Sequence, residues 1–160
     1  MEKTSRGFSL IELLIVVAII LIIAAIAVPN FLRSRVAANQ ASAVASLHTL
    51  TIAEATYSST FGQGYSANMQ YLAPPAGTAN VCSTAAGLID STLTSGQKSG
   101  YSFSYSPGPT GSTGIITVYS FSAVPVTSST GTNYYFTDES GVIYLNATTN
   151  ASSTDSPVGG

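Results

Sequence analysis

Lys3-Thr4-Ser5-Arg6-Gly7-Phe8-Ser9-Leu10-Ile11-Glu12 leads without a break into Leu13–Val28, a run of 16 residues that carries no polar side chain. Lys3 and Arg6 precede the run, offset in part by Glu2. Positive charge ahead of an apolar segment holds that end in the cytoplasm. From Phe8 to Val28 the segment approaches the roughly 20 residues that a helix needs to cross a bilayer core. Glu12 is the anomaly, because a carboxylate near the end of a membrane span is costly unless it is neutralised. A secretory signal with a small-x-small site at Ala25-Ile26-Ala27 is one reading. A plain transmembrane anchor is a second. Both leave Gly7-Phe8 and Glu12 unexplained. The third is a processing site. Cleavage after Gly7 gives Phe8 a free α-amine four residues from Glu12. An amine and a carboxylate in apolar surroundings call for pairing, since either alone is an unpaired buried charge.

Gly7-Phe8-Ser9-Leu10-Ile11-Glu12-Leu13-Leu14-Ile15-Val16-Val17-Ala18-Ile19-Ile20 resembles the class III signal of type IV pilins and type II secretion pseudopilins, most of all a type IV pilin major subunit. Pro29, followed by Asn30-Phe31, sits where many type IV pilins carry a helix-kinking proline. The resemblance covers residues 1 to about 35. It implies that a prepilin peptidase cuts between Gly7 and Phe8 and N-methylates Phe8. It implies that Glu12 pairs with the Phe8 amine of a neighbouring subunit. Gly7 suits a scissile junction, having no side chain to obstruct access and a permissive backbone. Pro29 removes one backbone donor and clashes with the preceding turn. A kink there, or local unwinding on packing, is expected.

Working outward, residues 1–7 read as a leader and 8–29 as the membrane or filament-core half of a long helix. Residues 30–61 read as its amphipathic half. Val36, Ala43, Leu47, Leu50, Tyr57 and Phe61 form one stripe with helical steps. Gln40 and Glu54 interrupt the stripe, and Glu54 is expected at the surface or at a subunit contact. Alanines supply helix propensity and small volume between them. A helix from Phe8 to Phe61 spans about 80 Å at 1.5 Å per residue. A C-terminal domain of this size cannot bury all of it, so the protruding half must find lipid or another helix. Arg33 and Arg35 follow the span as interfacial charges.

Gly62-Gln63-Gly64 ends the helix. Residues 62–98 form a long loop, broken by Pro74-Pro75 and several glycines, with a short helix expected between Ser83 and Leu93 capped by Ser83 or Thr84. Residues 99–146 carry the sheet. Tyr101-Ser-Phe103-Ser-Tyr105 alternates as a half-buried strand does. Further strands are expected at 115–124, 134–137 and 142–145, giving an antiparallel meander of about four strands over the distal half of the helix. The fold class is therefore α+β and type IV pilin-like. Residues 147–160 read as a polar, mobile tail, and Asn146, just before it, and Asn150 match glycosylation sequons.

Composition narrows the function. Of the 160 residues only 8% are charged, against about 25% in ordinary soluble domains. Net charge is −2 and the isoelectric point about 5.0, which argues against a general nucleic-acid surface. Cys82 is the single cysteine, so an intrachain disulfide is excluded, including the C-terminal disulfide loop of many type IV pilins. His48 is the single histidine, and no nucleophile–base–acid set or metal cage is legible. Asp138-Glu139 in a turn is too few oxygens for Ca²⁺. No enzyme, cofactor or metal is predicted.

The resemblance implies a subunit that waits in the inner membrane as a single-pass precursor and joins a helical homopolymer at the cell surface. An inner-membrane assembly platform with a cytoplasmic ATPase would drive it, since the chain has no phosphate-binding loop. Tyr101-x-x-x-Tyr105-x-Pro107-Gly108-x-x-Gly111 resembles the major pseudopilin of type II secretion, but this chain lacks tryptophan and an acidic C-terminal Ca²⁺ loop. From another class, a membrane-anchored periplasmic binding module would use the loops of 62–98.

Overall fold

A computed structural model describes residues 8–77, 79–112 and 114–159. The expectations for the leader, Lys3, Arg6 and Gly7 among them, lie outside the described residues. The chain divides into two compact units, one ending at Arg35 and the other beginning at Val36. Helix α1, Leu10–Phe61, contributes residues to both.

In the second unit α1 draws its stability from packing. Ala43, Leu47, Leu50, Ala53, Glu54 and Tyr57 recur at steps of three and four and are all buried, as one face of a 3.6-residue repeat requires. Full burial of a leucine stabilises by about 1.5–3 kcal/mol, and Leu47 and Leu50 are both fully buried. Ala41, Ala45, Thr49, Ile52 and Thr56 remain exposed on α1. Thr49 and Thr56 return their hydroxyls to the carbonyls of Ala45 and Ile52, the internal bond open to such residues within helices. Gly62 stops the helix. Its φ of +65° is left-handed, and its N–H donates to Ser58 O at 3.0 Å, so a final carbonyl is satisfied.

The sheet is an antiparallel meander in sequence order. Its strands are β1 (Gln97–Lys98), β2 (Tyr101–Pro107), β3 (Tyr119–Pro125), β4 (Tyr134–Asp138), β5 (Ile143–Asn146) and β6 (Ser156–Pro157). Register aligns Phe103 with Ala123 and Ala123 with Tyr135, and aligns Tyr105 with Phe121 and Phe121 with Thr137. A small residue thus sits between two large ones in the first row. The other face is hydroxyl-rich, with Ser104 Oγ and Ser122 Oγ 2.8 Å apart across β2 and β3, a cross-strand pair of the kind that stabilises sheets.

The α+β architecture matches the expectation, and several details differ. Six strands replace about four, because two-residue edge strands are added at either side. The strand expected from Ile115 begins only at Tyr119. Beyond Pro107 the pairing is broken into single contacts: Gly108 N donates to Val118 O at 2.9 Å, Pro109 has no N–H to offer, and Thr110 forms an isolated bridge with Ile116. Ile116 also reaches the long loop, where its carbonyl accepts Tyr65 N at 2.9 Å. The helix expected within 83–93 is a single turn, α2 (Ser91–Thr94), capped by Asp90 rather than Ser83 or Thr84. A 3-10 turn, Met69–Leu72, is an addition to the expected elements. Met69, Leu72, Ala86, Ile89 and Leu93 all join the core, so the long loop is a packing layer as well as a surface.

The C-terminal stretch is held, contrary to the reading of a mobile tail. Asp155 accepts Asn146 Nδ2 at 2.8 Å and Ser152 N at 2.7 Å. Asn146 Oδ1 in turn accepts Thr148 N and Thr149 N. Ala151 is buried and β6 pairs with β5. A carboxylate and an amide close this loop without a disulfide.

Candidate processing and assembly segment

In the first unit the helix begins at Leu10, and its entry is built by two side chains. Ser9 precedes the helix and Glu12 lies three residues on. Glu12 Oε2 accepts Ser9 N at 2.9 Å, while Leu13 N donates to Ser9 O at 3.2 Å. This is the Glu half of a capping box, in which the acid satisfies a backbone donor that the helix cannot reach. The negative charge also faces the positive end of the helix macrodipole. Glu12 therefore has a task within the single chain, additional to the pairing inferred from sequence. Its signal in the sequence is the spacing Ser9-x-x-Glu12.

Beyond Glu12, the segment exposes nearly everything it has. Phe8, Leu10, Ile11, Leu13, Leu14, Ile19, Ile20, Leu21, Ile22, Ile23, Ile26 and Val28 are each more than half exposed. The helix is long and apolar enough to cross a membrane, and none of its most apolar window is buried. A contiguous apolar surface of this size marks a membrane or protein contact. Pro29 lies within α1, which continues through it. Arg33 and Arg35 are exposed.

A family profile described as a prokaryotic N-terminal methylation motif matches residues 3–28. The type IV major pilin protein PilA of Myxococcus xanthus is 49% identical over 53 residues, 33% of this chain and 24% of that protein. The N-terminal segment is thus similar to that of a type IV major pilin. The type IV wide pilus major component of Thermus thermophilus is 50% identical over 46 residues, 29% of this chain and 35% of that protein. The matches thus span about a quarter to a third of the length of these relatives. No solved structure matches the chain. The matched motif includes the Gly7-Phe8 junction and Glu12, while Pro29 falls just beyond it.

The remaining sequence candidates are placed apart from this segment. His48 is exposed on α1. Cys82 is exposed in a tight turn closed by two backbone bonds with Ala85, and its hydrogen bond with Thr84 holds the thiol below its ordinary pKa. Asp138 accepts Ser140 N at 3.0 Å and so caps its own turn. Among the described residues, no three His, Cys, Asp or Glu side chains converge on a common point. Tyr57, Gln63, Tyr65, Tyr71 and Ile116 line an open cleft beside the long loop, where the binding-module reading would place its site. Glu54 is the clear correction. Expected at a surface or a subunit contact, it is fully buried and bonded to Ser66. The partner is twelve residues away across a loop, and nothing local in the sequence announces it.

Proposed function

We propose that the chain is a pilin, a structural subunit that polymerises into a type IV pilus or a closely related extracellular filament. The observation that carries this reading is the methylation motif over residues 3–28, continuous with a helix whose apolar side chains are unsheltered. In this reading prepilin peptidase cuts between Gly7 and Phe8 and N-methylates Phe8. Before assembly the span holds the subunit in the inner membrane. An assembly platform with its cytoplasmic ATPase then moves it into the filament, where the apolar helices become the core. Burial worth about 25 cal/mol per Å² favours that core once lipid is left behind. Glu12 exchanges its bond to Ser9 N for the Phe8 amine of a neighbour, and Pro29 is the point at which the helix bends as subunits pack. The role is structural, with no cofactor and no metal.

Mass spectrometry of the mature N-terminus tests the proposal. N-methylated Phe8 is expected, and a start at Val28 refutes it. Gly7→Asp should leave the precursor uncleaved. Glu12→Ala should insert and be cleaved but fail to enter sheared surface filaments, and a normal filament yield removes its pairing role.

A further inference from the structure

We infer that Glu54 is a proton-operated latch: as a neutral acid it ties α1, the segment around Ser66 and β2 into one hydrogen-bonded knot, and loss of its proton loosens residues 62–72 from the helix. This goes beyond the filament reading and does not depend on it.

The geometry fixes where the protons belong. Glu54 and Ser66 are both fully buried. Glu54 Oε2 accepts Ser66 N at 2.9 Å, and Glu54 Oε1 lies 2.6 Å from Ser66 Oγ. Ser66 Oγ is also 3.1 Å from the carbonyl oxygen of Asn68, and Tyr105 Oη donates to Ser66 O at 2.6 Å. A serine hydroxyl has one proton, and a carbonyl only accepts. If Glu54 is a carboxylate, that proton must choose between Glu54 Oε1 and Asn68 O. If Glu54 is an acid, its own O–H donates to Ser66 Oγ, and Ser66 passes its proton to Asn68 O. The neutral form alone completes the set.

The surroundings agree. The titratable groups that bear on Glu54 are Tyr57 of α1, Tyr105 of β2 and Tyr119 of β3. Tyr65 and Glu139 act on Tyr119 in turn. None is a cation. Lys98 is engaged with Asp90 at 3.0 Å. A buried carboxylate with no positive partner is disfavoured, and proteins answer by neutralising it. Burial accordingly pushes Glu54 above the ordinary carboxylate pKa, against the smaller opposing pull of its Ser66 bonds. Because the folded value is the higher one, this stabilisation is fully present below the ordinary value of 4.5. It is lost as pH rises through the folded value. The segment it releases bears Gln63, Tyr65 and Tyr71, which face the open cleft, so a buried proton governs an outward surface.

The test uses the full chain in detergent micelles with ¹³Cδ-labelled glutamate. The Glu54 resonance, assigned by its absence in Glu54→Gln, should titrate above the ordinary glutamate value of 4.5. If Glu54→Gln does not fold, Glu2→Gln, Glu12→Gln and Glu139→Gln assign the remaining signal by elimination. Amide exchange of residues 62–72, corrected for intrinsic rate, should accelerate about tenfold over the same pH interval relative to the strands. In Glu54→Gln, whose amide can donate to Ser66 Oγ and whose oxygen can accept Ser66 N, protection should be independent of pH there. Titration of Glu54 at or below the ordinary value of 4.5 overturns the latch, as does loop exchange that does not follow its titration.

Discussion

Replacing Gly131 by alanine should damage the domain through space alone. Gly131 is buried and is not among the residues with positive φ, so its backbone is open to alanine. A Cβ there would lie 2.6 Å from Tyr101 Cζ and 2.7 Å from Cε2, and would overlap the hydroxyl. Tyr101 cannot swing away without loss. It is fully buried, its ring stands 5.9 Å from that of Tyr135, and its Oη donates to Asn133 O at 2.9 Å. Displacing the ring sacrifices that bond, a net loss of about 0.5–1.5 kcal/mol. Overpacking a filled core adds about 1–3 kcal/mol. The expected cost is about 3 kcal/mol, a fall in Tm of roughly 6–12 °C for a chain of this size. Near-ultraviolet circular dichroism of the tyrosines, followed through thermal unfolding of the full chain in detergent, reads it directly. Tyr101→Phe removes the overlapping hydroxyl, so the two substitutions should couple: Gly131→Ala should cost less in the Tyr101→Phe background than in the parent. A Gly131→Ala protein melting within about 1 °C of the parent refutes the packing argument.

Leu47→Ala should destabilise by about 2–5 kcal/mol, since Leu47 is fully buried in the core; chemical denaturation should show it as a lower midpoint with an unchanged slope. Asp155 is held below the ordinary carboxylate range first by Ser152 N and then by Asn146, so its stabilisation is present above the ordinary value and lost as pH falls through the folded one. Amide exchange across residues 147–156 should therefore rise in acid, and Asp155→Ala should abolish that acid step. Cys82 is exposed with a lowered thiol pKa, so a maleimide should label the native protein fully, without an unfolding step. These losses at Asp155 as pH falls run opposite in sign to the release at Glu54 as pH rises, and the two are separable in one exchange experiment.

Particular residues show why some features are legible in the sequence and others are not. The apolar run, the Gly7-Phe8 junction and the helical stripe through Leu47 and Leu50 are local patterns, readable because neighbours in sequence are neighbours in space. The strand Tyr101–Pro107 is readable for the same reason, through its period of two. Ile116 defeats a local reading because its backbone partners, Gly64 and Thr110, belong to other segments. Gly64 shows the same dependence, since a Cβ there would strike the Ile116 backbone and the Ile115 side chain. The closure by Asp155 is hidden because a Ser- and Thr-rich tail resembles a disordered one until a single carboxylate gathers its amides.

The sequence by itself determined that this chain has a membrane-grade segment with an acid at its entry, an amphipathic helix continuing from it, and strands that follow. Each of these rests on hydrophobic period and composition, which are properties of contiguous residues. The tertiary structure alone decided that Glu54 lies inside, that Ser66 and Tyr105 meet it, and that the C-terminus is tied down. A helical position can face solvent or core, and for a carboxylate the outcome depends on whether distant donors are delivered to it. Here the loop delivers Ser66, and so an acid that interrupts an apolar stripe becomes part of the core.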